Sequence, residues 1–557
     1  RASSATYVDS DGLIKTAATN LLLYSEQFDN ALWTKSNTTV TADSVTAPDG
    51  ATTADRLVET NATATFSVYR TATSTPGTYT FSVFAKGDGS GRLLNLTLQN
   101  NNGYLQSYFN LSTGVVSNVS GSMTASITAF PNGWYRCSVT STSTSITYCF
   151  AYIAAAAGEN SVYVARAGST SAGLYLWGAQ LEAGAFPTSY IPTTSTVNSA
   201  PRFDHNPSTG ESLGLLVEEA RTNFLSYSEQ FDNAAWTKSN ATITANSVVA
   251  PDGTTTADKH QEDNVNNFHY SFQQRTYSAG VYTISAYFKA AERSFAWLYL
   301  NTGATATAYF NLATGVVGTV SGTGSPTASI TSVANGWYRC TLTATIPAIV
   351  GGAGYGIALA DNTPSYTGTT GSGIYIWGAQ LEVGAFPTSY IPTTTASVTR
   401  SADVVSITGA GLLSFFNNQQ GTFYAAAATS SSSASANQMI VSAGDGAAAA
   451  NQITIYRSGA SLLSIVSSAG VLQVNQNSGI SAASYKFGFG YQANNFGFSV
   501  NANTAQTSSS GATPVVVNTL DIGKWHVSSS GYWNSTISRL TYWPQRLSNP
   551  TLQAITQ

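Results

Sequence analysis

The chain repeats itself, and the repeat constrains every reading of its fold. Residues 20–35 read NLLLYSEQFDNALWTK and residues 223–238 read NFLSYSEQFDNAAWTK, an offset of 203. The same offset recurs at Pro48-Asp49-Gly50 against Pro251-Asp252-Gly253. It recurs again at Gly133-Trp134-Tyr135-Arg136-Cys137 against Gly336-Trp337-Tyr338-Arg339-Cys340. Near the ends, residues 177–194 (WGAQLEAGAFPTSYIPTT) match residues 377–394 (WGAQLEVGAFPTSYIPTT) at an offset of 200, so small deletions in the second copy absorb the difference. The period is far too long for a solenoid, and each copy is long enough to own a core. Two modules therefore span 20–194 and 223–394, and whatever fold one adopts the other must adopt as well. Residues 1–19 form a connector before the first module. Residues 195–222 form a linker whose apolar run, 213–219, reads as a short strand or a brief helix. An unlike sequence fills 395–557. Three domains suit 557 residues at roughly 100–200 residues each.

Inside a module the hydrophobic period is two. Residues 77–86 (GTYTFSVFAK) place Tyr79, Phe81 and Val83 on one face; residues 280–289 place Tyr282, Ile284 and Ala286 there. Turn formers precede each run. Pro131-Asn132-Gly133 is an Asn-Gly turn ahead of a strand that starts near Trp134. Asn110–Gly114 and Asn311–Gly315 each join two short strands, and residues 174–181 form another. Short strands, Gly/Asn/Pro turns and no long helical pattern predict an all-β chain of tandem antiparallel β-sandwich, jelly-roll-like domains. The last domain is also β, with short strands over 452–456, 462–466, 485–489 and 496–500 and an imperfect one over 533–543. Residues 546–555 read as a cap and a short terminal helix, with Ser548 or Asn549 as cap and Pro550 in the first turn.

Composition excludes several functions. Charged residues are only 9% of the chain, against roughly 25% in an average soluble protein. Hydrophobic residues reach 43%, enough to build cores, so disorder through charge repulsion is excluded. The net charge of -4 offers no basic surface for phosphates, which argues against nucleic-acid partners. No apolar run is long enough to cross a membrane as a helix, and residues 1–20 lack the apolar core of a signal peptide. Arg1 is not an initiator Met, so residues upstream are expected. Three cysteines make no disulfide scaffold. Cys137 and Cys340 match between copies and are expected as buried free thiols; a Cys137–Cys149 bridge would exist in one copy alone, and no disulfide is expected.

Several words of the sequence carry a resemblance. TYVDSDGLIKTA at 6–17, PRFDHNPSTGESLGLLVEEARTN at 201–223, LLYSEQFDNALWTK at 22–35 and the WGAQLE…SYIPTT segments resemble domains repeated in tailed-bacteriophage virion proteins, often beside tail-fibre or spike parts. The module openings, Asn20, Leu21, Phe28 and Trp33 with Asn223, Phe224, Phe231 and Trp236, resemble those of carbohydrate-binding-module jelly rolls. GYWNSTISRLTYWPQRLSNPTLQAIT at 531–556 resembles the last strand and short helix of laminin-G or concanavalin-A-like sandwiches. The resemblance implies a structural protein of a phage tail fibre or spike, located on the virion surface. It also implies other virion subunits as partners, a homo-oligomer such as a trimer, and recognition of a host-surface glycan. The alternatives are a purely architectural or decorating capsid or tail protein without ligand, and a glycan-degrading spike. Fold alone does not decide among them.

Glycan binding wants exposed rings beside polar side chains. The candidates are Trp33 and Trp236, the aromatics Tyr104, Phe268, Tyr270 and Trp297 where the copies diverge, and the matched basic residues Arg56 and Lys259. Trp134, Trp177, Trp337 and Trp377 lie on alternating strands and are expected in the core. For Arg56 and Lys259 the plain reading is an ion pair with Asp55, Glu182 or their counterparts. Asp9-Ser10-Asp11-Gly12 and Asp204-His205-Asn206 resemble fragments of calcium loops, but neither continues with the required Glu, and turns explain both. The four histidines show no zinc spacing. No metal or cofactor is expected. Glu26 and Glu229, with Asp29 and Asp232, are the carboxylates a glycosidase would need; a capped turn explains them equally, and no catalytic residues are assigned.

Overall fold

The computed structural model describes residues 5–557 except 73, 101–102, 118, 144, 156–164, 302–304, 430–433 and 447. Two compact units emerge. One comprises residues 17–200, the other Ala5–Thr16 with Pro201–Gln557.

The first unit is an antiparallel sandwich of two six-stranded sheets. The first sheet runs Val115–Ser117, Gly103–Asn110, Leu93–Asn100, Ile146–Ala154, Ser67–Thr71 and Thr34–Ser36. The second runs Thr124–Phe130, Trp134–Ser143, Gly77–Gly87, Gly173–Ala183, Ala54–Glu59 and Thr38–Val45. Period-two alternation sends Tyr79, Phe81, Val83 and Ala85 of the second sheet against Leu94, Leu96 and Leu98 of the first, and this is the core. The Asn-Gly turn forms as expected. Asn132 (φ 61°) and Gly133 (φ 77°) reverse the chain so that Phe130 pairs with Trp134. The WGAQ word is a bulge. Register slips between Trp177 and Gln180, and Gly178 takes φ 64°, a conformation that costs glycine little.

Module 2 repeats this plan in the second unit. One of its sheets orders Thr237–Ser239, Asn266–Tyr277, Ile349–Ala358, Phe295–Asn301, Thr305–Asn311 and Val316–Ser321, with Ser365–Thr367 pairing off Asn266–Tyr277. The other orders Ala241–Val248, Ala257–Glu262, Gly373–Val383, Gly280–Ala290, Tyr338–Ile346 and Thr327–Ser332. Its core repeats the first, with Ile284, Ala286, Leu298, Leu300 and Leu342 in place.

The C-terminal domain is a third sandwich, all antiparallel, with its own core of Phe423, Ile440, Ile455, Phe487, Phe489 and Phe498 among others. The run at 213–219 is a strand, Ser212–Val217. With Phe203–His205 it makes a hairpin that joins this domain's seven-stranded sheet by pairing Leu215 with Ile537. The connector also folds: Thr6–Val8 and Ile14–Thr16 make a hairpin seated on module 2, where the Ile14 amide donates to the Pro251 carbonyl at 3.0 Å. Arg202 fastens these pieces. Its buried guanidinium pairs with Glu218 at 2.7 Å and with Asp403, and donates to the Thr6 carbonyl at 2.9 Å. The terminal helix spans Asn549–Ile555; Ser548 caps it by accepting from the Thr551 amide. The three cysteines are buried free thiols, and burial pushes the Cys137 and Cys340 thiols well up.

Candidate functional site

Strand alternation gives each module a second aromatic surface, on the outer side of its first sheet. In module 2, Asn266–Tyr277 turns His269, Ser271 and Gln273 inward and Phe268, Tyr270 and Phe272 outward. Phe295–Asn301 turns Ala296, Leu298 and Leu300 inward and Phe295, Trp297 and Tyr299 outward. Between them runs Ile349–Ala358, whose outward positions are Gly352, Gly354 and Gly356. Gly356 pairs with Tyr270 on one side and Trp297 on the other; Gly354 pairs with Phe272 and Tyr299. The rings occupy the space that side chains at these glycines would need. A Cβ on Gly356 would lie 2.7 Å from Trp297 Cε2, and one on Gly354 would lie 2.8 Å from Tyr299 Cε1. The Trp297 indole N–H donates to the Ile357 carbonyl at 3.2 Å and fixes the ring there. Trp297 stacks beside Tyr299 (centroids 5.1 Å) and Tyr309 (6.3 Å), and Tyr270 stacks beside Phe272 (5.7 Å). Trp297 is only 5% exposed, whereas Phe268 is 41% exposed and Tyr270, Phe272 and Phe295 are half-buried.

Module 1 builds its surface the other way round. The registers that pair Leu94 with Ile153 and Ala296 with Ile357 set Tyr148, Phe150 and Tyr152 opposite the three glycines, and Asn95 and Thr97 opposite Trp297 and Tyr299. The central strand now carries the rings and its neighbour carries small polar side chains, buried beneath them and joined by a 2.8 Å Thr97–Asn95 hydrogen bond. Phe150 is the hub, with centroid distances of 4.7 Å to Tyr69, 5.3 Å to Tyr152, 5.8 Å to Tyr148 and 5.9 Å to Tyr104. The four tyrosines around it are half-buried.

The diverged aromatics expected from the sequence thus fall on these two surfaces: Phe268, Tyr270 and Trp297 together on module 2, Tyr104 on module 1. Trp33 and Trp236 do not. Each is about 1% exposed, packs on Phe28 or Phe231, and donates its indole N–H to the Tyr24 or Tyr227 carbonyl at 2.9 or 3.0 Å. Neither has a ring face open to a ligand. Arg56 and Lys259 lie in the opposite sheet of their modules, in ion pairs with Asp88 (2.8 Å) and Glu292 (2.8 Å). Asp55 is not the partner because sequence neighbours on a strand point to opposite faces, and Glu182 is buried and accepts the Thr188 amide at 2.9 Å. Asp55 and Asp258 turn inward and accept the Phe28 and Phe231 amides at 2.7 and 2.8 Å; burial raises both carboxyls to about 6. Sequence reasoning passed over Tyr69, Tyr148, Phe150, Tyr152, Phe272 and Tyr299. The alternations Tyr-x-Phe-x-Tyr at 148–152 and Phe-x-Tyr-x-Phe at 268–272 are the signal that finds most of them.

Of the carboxylates that a glycan-cleaving site would need, Asp29 and Asp232 are exposed and Glu26 and Glu229 are committed to tyrosines. Glu26 and Glu229 accept from the Tyr190 and Tyr390 hydroxyls at 3.0 and 2.9 Å, and burial raises both carboxyls. Glu59 is held by Arg92 and Arg166. Glu262 is held by Arg293 and the Tyr366 hydroxyl. Asp9-Ser10-Asp11-Gly12 is a turn: the Leu13 amide donates to Asp11 Oδ1 at 2.9 Å, and Gly12 has φ 78°. Among the described residues no three His, Cys, Asp or Glu side chains are grouped as a metal site requires, and no helix is long and apolar enough to cross a membrane. A separate cleft of about 450 Å³ lies in the second unit, lined by Tyr7, Asp204, His205, Tyr287, Arg339 and Phe386 among others. Asp204, raised to about 6 by burial, accepts the Val8 amide there at 2.7 Å.

Comparison with family models and with curated sequences gives no match. Among solved structures, the chain is similar to the Ruminococcus gnavus IT-sialidase CBM40 at 16% identity, covering 28% of this chain and 96% of that one, with a TM-score of 0.24. It is similar to the N-terminal CBM22-1-CBM22-2 tandem domain of Paenibacillus barcinonensis Xyn10C at 10% identity (66% and 98% covered, TM-score 0.24). It is also similar to domains LG4-5 of the mouse laminin alpha1 chain at 11% identity (51% and 88% covered, TM-score 0.20).

Proposed function

We propose that this chain is a structural protein of a bacteriophage tail fibre or spike, and that its two modules contribute to recognition of a host-surface glycan. The repeated words of the sequence support the virion reading, with other virion subunits and a homo-oligomer such as a trimer as its setting. One observation carries the glycan reading: both modules keep an aromatic surface on the same sheet face although different strands supply the rings. Glycines on the central strand of one module are balanced by rings beside them, and rings on the central strand of the other by small residues beside them. Aromatic faces stack on the C–H faces of pyranose rings, and tyrosine hydroxyls reach sugar hydroxyls. The low charge of the chain suits a neutral glycan. Each module would bind weakly, and a fibre of several copies would raise avidity by presenting many modules at once.

The test is a glycan array probed with the full chain. The expected result is a defined glycan set whose signal falls about tenfold, the worth of one or two lost stacking contacts, in Tyr270→Ala or Tyr148→Ala. Flat signals from the full chain would remove the glycan reading and leave the architectural one.

A further inference from the structure

The outer face of the second sheet carries one apolar patch in each module, and the two patches differ in what covers them. In module 2 the patch comprises Ala250, Tyr287, Val333, Trp337, Trp377 and Tyr390, and Ile14 of the connector hairpin completes it. Docking is specific. The Ile14 amide donates to the Pro251 carbonyl at 3.0 Å, and the Thr6 hydroxyl donates to the Tyr390 carbonyl at 2.5 Å. Leu13 lies over Gly253, where a Cβ would meet its Cδ1 at 2.9 Å; a Cβ on Gly12 at the hairpin's tip would reach Ala334 Cβ at 3.1 Å. Beside the hairpin, the Ser389 amide and hydroxyl each donate to the Glu218 carboxylate at 2.7 Å.

Module 1 has the same patch at matched positions: Ala47, Phe84, Trp134, Trp177 and Tyr190, with Phe130 edge-on to Phe84 at 5.0 Å. Among the described residues, that cluster contains none from outside the module. Phe84, Trp134 and Trp177 at the centre of the patch are buried, as their counterparts are, but the rim groups that receive the hairpin in module 2 are present and more open. Phe130 is 38% exposed where Val333 is 9%. Pro48 and Tyr190 are half-buried where Pro251 and Tyr390 are buried, and Ser189 is exposed where Ser389 is half-buried.

We infer that this face of module 1 is a docking surface for a β-hairpin of another polypeptide chain. That hairpin carries an aliphatic side chain where Ile14 stands and a hydroxyl where Thr6 stands, and its strand amide meets the Pro48 carbonyl. The chemistry of the occupant is read from the duplicate, because the receiving carbonyls and the tryptophan pair are the same in both modules. A carboxylate beside the hairpin would take the Ser189 amide and hydroxyl as Glu218 takes those of Ser389. The inference is independent of glycan binding, which uses the other sheet.

The probe is a synthetic peptide with the sequence of residues 5–16, titrated into the full chain. The tethered copy of this hairpin keeps module 2 filled at an effective concentration on the order of millimolar, so the added peptide reports on module 1. Saturable 1:1 binding is expected by fluorescence anisotropy. Phe130→Asp should weaken it about tenfold, roughly the worth of one apolar side-chain contact. Pro131→Glu, at the exposed position matching Ala334, should weaken it similarly, and Phe268→Ala should leave it unchanged. Circular dichroism checks that the variants fold. Absence of saturable binding at millimolar peptide, or binding indifferent to both variants, would overturn the inference. So would self-association that the variants abolish but the peptide cannot compete, since something other than a hairpin would then fill the face.

Discussion

The Trp297 indole N–H and the Ile357 carbonyl meet at 3.2 Å across the backbone of Gly356, and this bond lays the ring over a strand that has no side chain to obstruct it. Gly356→Ala would put a Cβ 2.7 Å from Trp297 Cε2. The ring must lift, the indole loses its carbonyl, and module 2 should lose about 1–3 kcal/mol, the usual cost of overpacking. Thermal unfolding checks the stability, and a change in tryptophan fluorescence reports the displaced ring. An unchanged transition would mean that the ring is not held against this strand.

Two matched carboxyls set a pH dependence. Burial raises Asp55 and Asp258 to about 6 even though each accepts two backbone amides. Their folded-state pKa lies above the unfolded value of about 3.9, so the folded chain binds more protons between the two values. Through these groups, stability should rise as pH falls from 7 towards 5. Urea midpoints at pH 7 and pH 5 check the sign, and the Asp258→Asn variant should show a smaller difference than the unaltered chain.

Much of the fold was legible because the modules are built from local signals. The Asn-Gly turns, the period-two runs and the repeated words each dictate a strand or a reversal within about ten residues of chain. What stayed hidden depends on partners far away in sequence. Nothing in 213–219 says that Leu215 will pair with Ile537, and nothing in 6–16 says that Ile14 will enter a patch made by Tyr287 and Trp377. At the candidate site, the divergence between copies pointed to Phe268, Tyr270 and Trp297. It gave no hint that Gly352, Gly354 and Gly356 make room for them, since a glycine's role appears only with the ring lying over it. Trp33 and Trp236 read from the sequence as glycan candidates beside a core reading, and the core reading holds, since their rings pack on Phe28 and Phe231 out of reach of solvent.

The modules balance one matched buried carboxylate with different partners, and this separates them experimentally. Burial alone would raise Glu59, but Arg166, Arg92 and the Ser169 amide hold it below the usual carboxylate range. Glu262 is held low by Arg293, the Tyr366 hydroxyl and the Thr369 amide. Arg166→Met takes one of two guanidinium partners from Glu59, which Arg92 still holds, and should cost module 1 about 1.5–3 kcal/mol, whereas Tyr366→Phe removes one hydroxyl bond from Glu262, which Arg293 still holds, and should cost module 2 about 1–3 kcal/mol. Both contributions are fully present above the unfolded glutamate pKa of about 4.3 and are lost as pH falls through the lowered folded value. Arg166→Met should therefore also flatten the acid limb of module 1 unfolding, measured by urea denaturation from pH 7 downward.

The Arg202 cluster ties four segments of the second unit, so its removal should loosen them together. Arg202 is fully buried, pairs with Glu218 and Asp403, and donates to the Thr6 carbonyl and the Ser389 hydroxyl. Burial alone would raise the Glu218 carboxyl, but Arg400 and Arg202 hold it far below the usual range. Arg202→Met leaves Asp403 without its guanidinium and Glu218 with Arg400 at 3.4 Å, and breaking such a pair costs about 3–5 kcal/mol. The connector hairpin loses the guanidinium bond to its Thr6 carbonyl. Proteolysis at its turn, residues 9–12, should then accelerate well before the sandwich cores open. Pairing the change with Asp403→Leu removes the carboxylate that has lost its guanidinium and should recover part of the stability without restoring the Thr6 bond, so the turn should remain sensitive to cleavage. A cleavage rate equal to that of the unaltered chain would show that the apolar seat of Ile14 holds the hairpin without help from the charges.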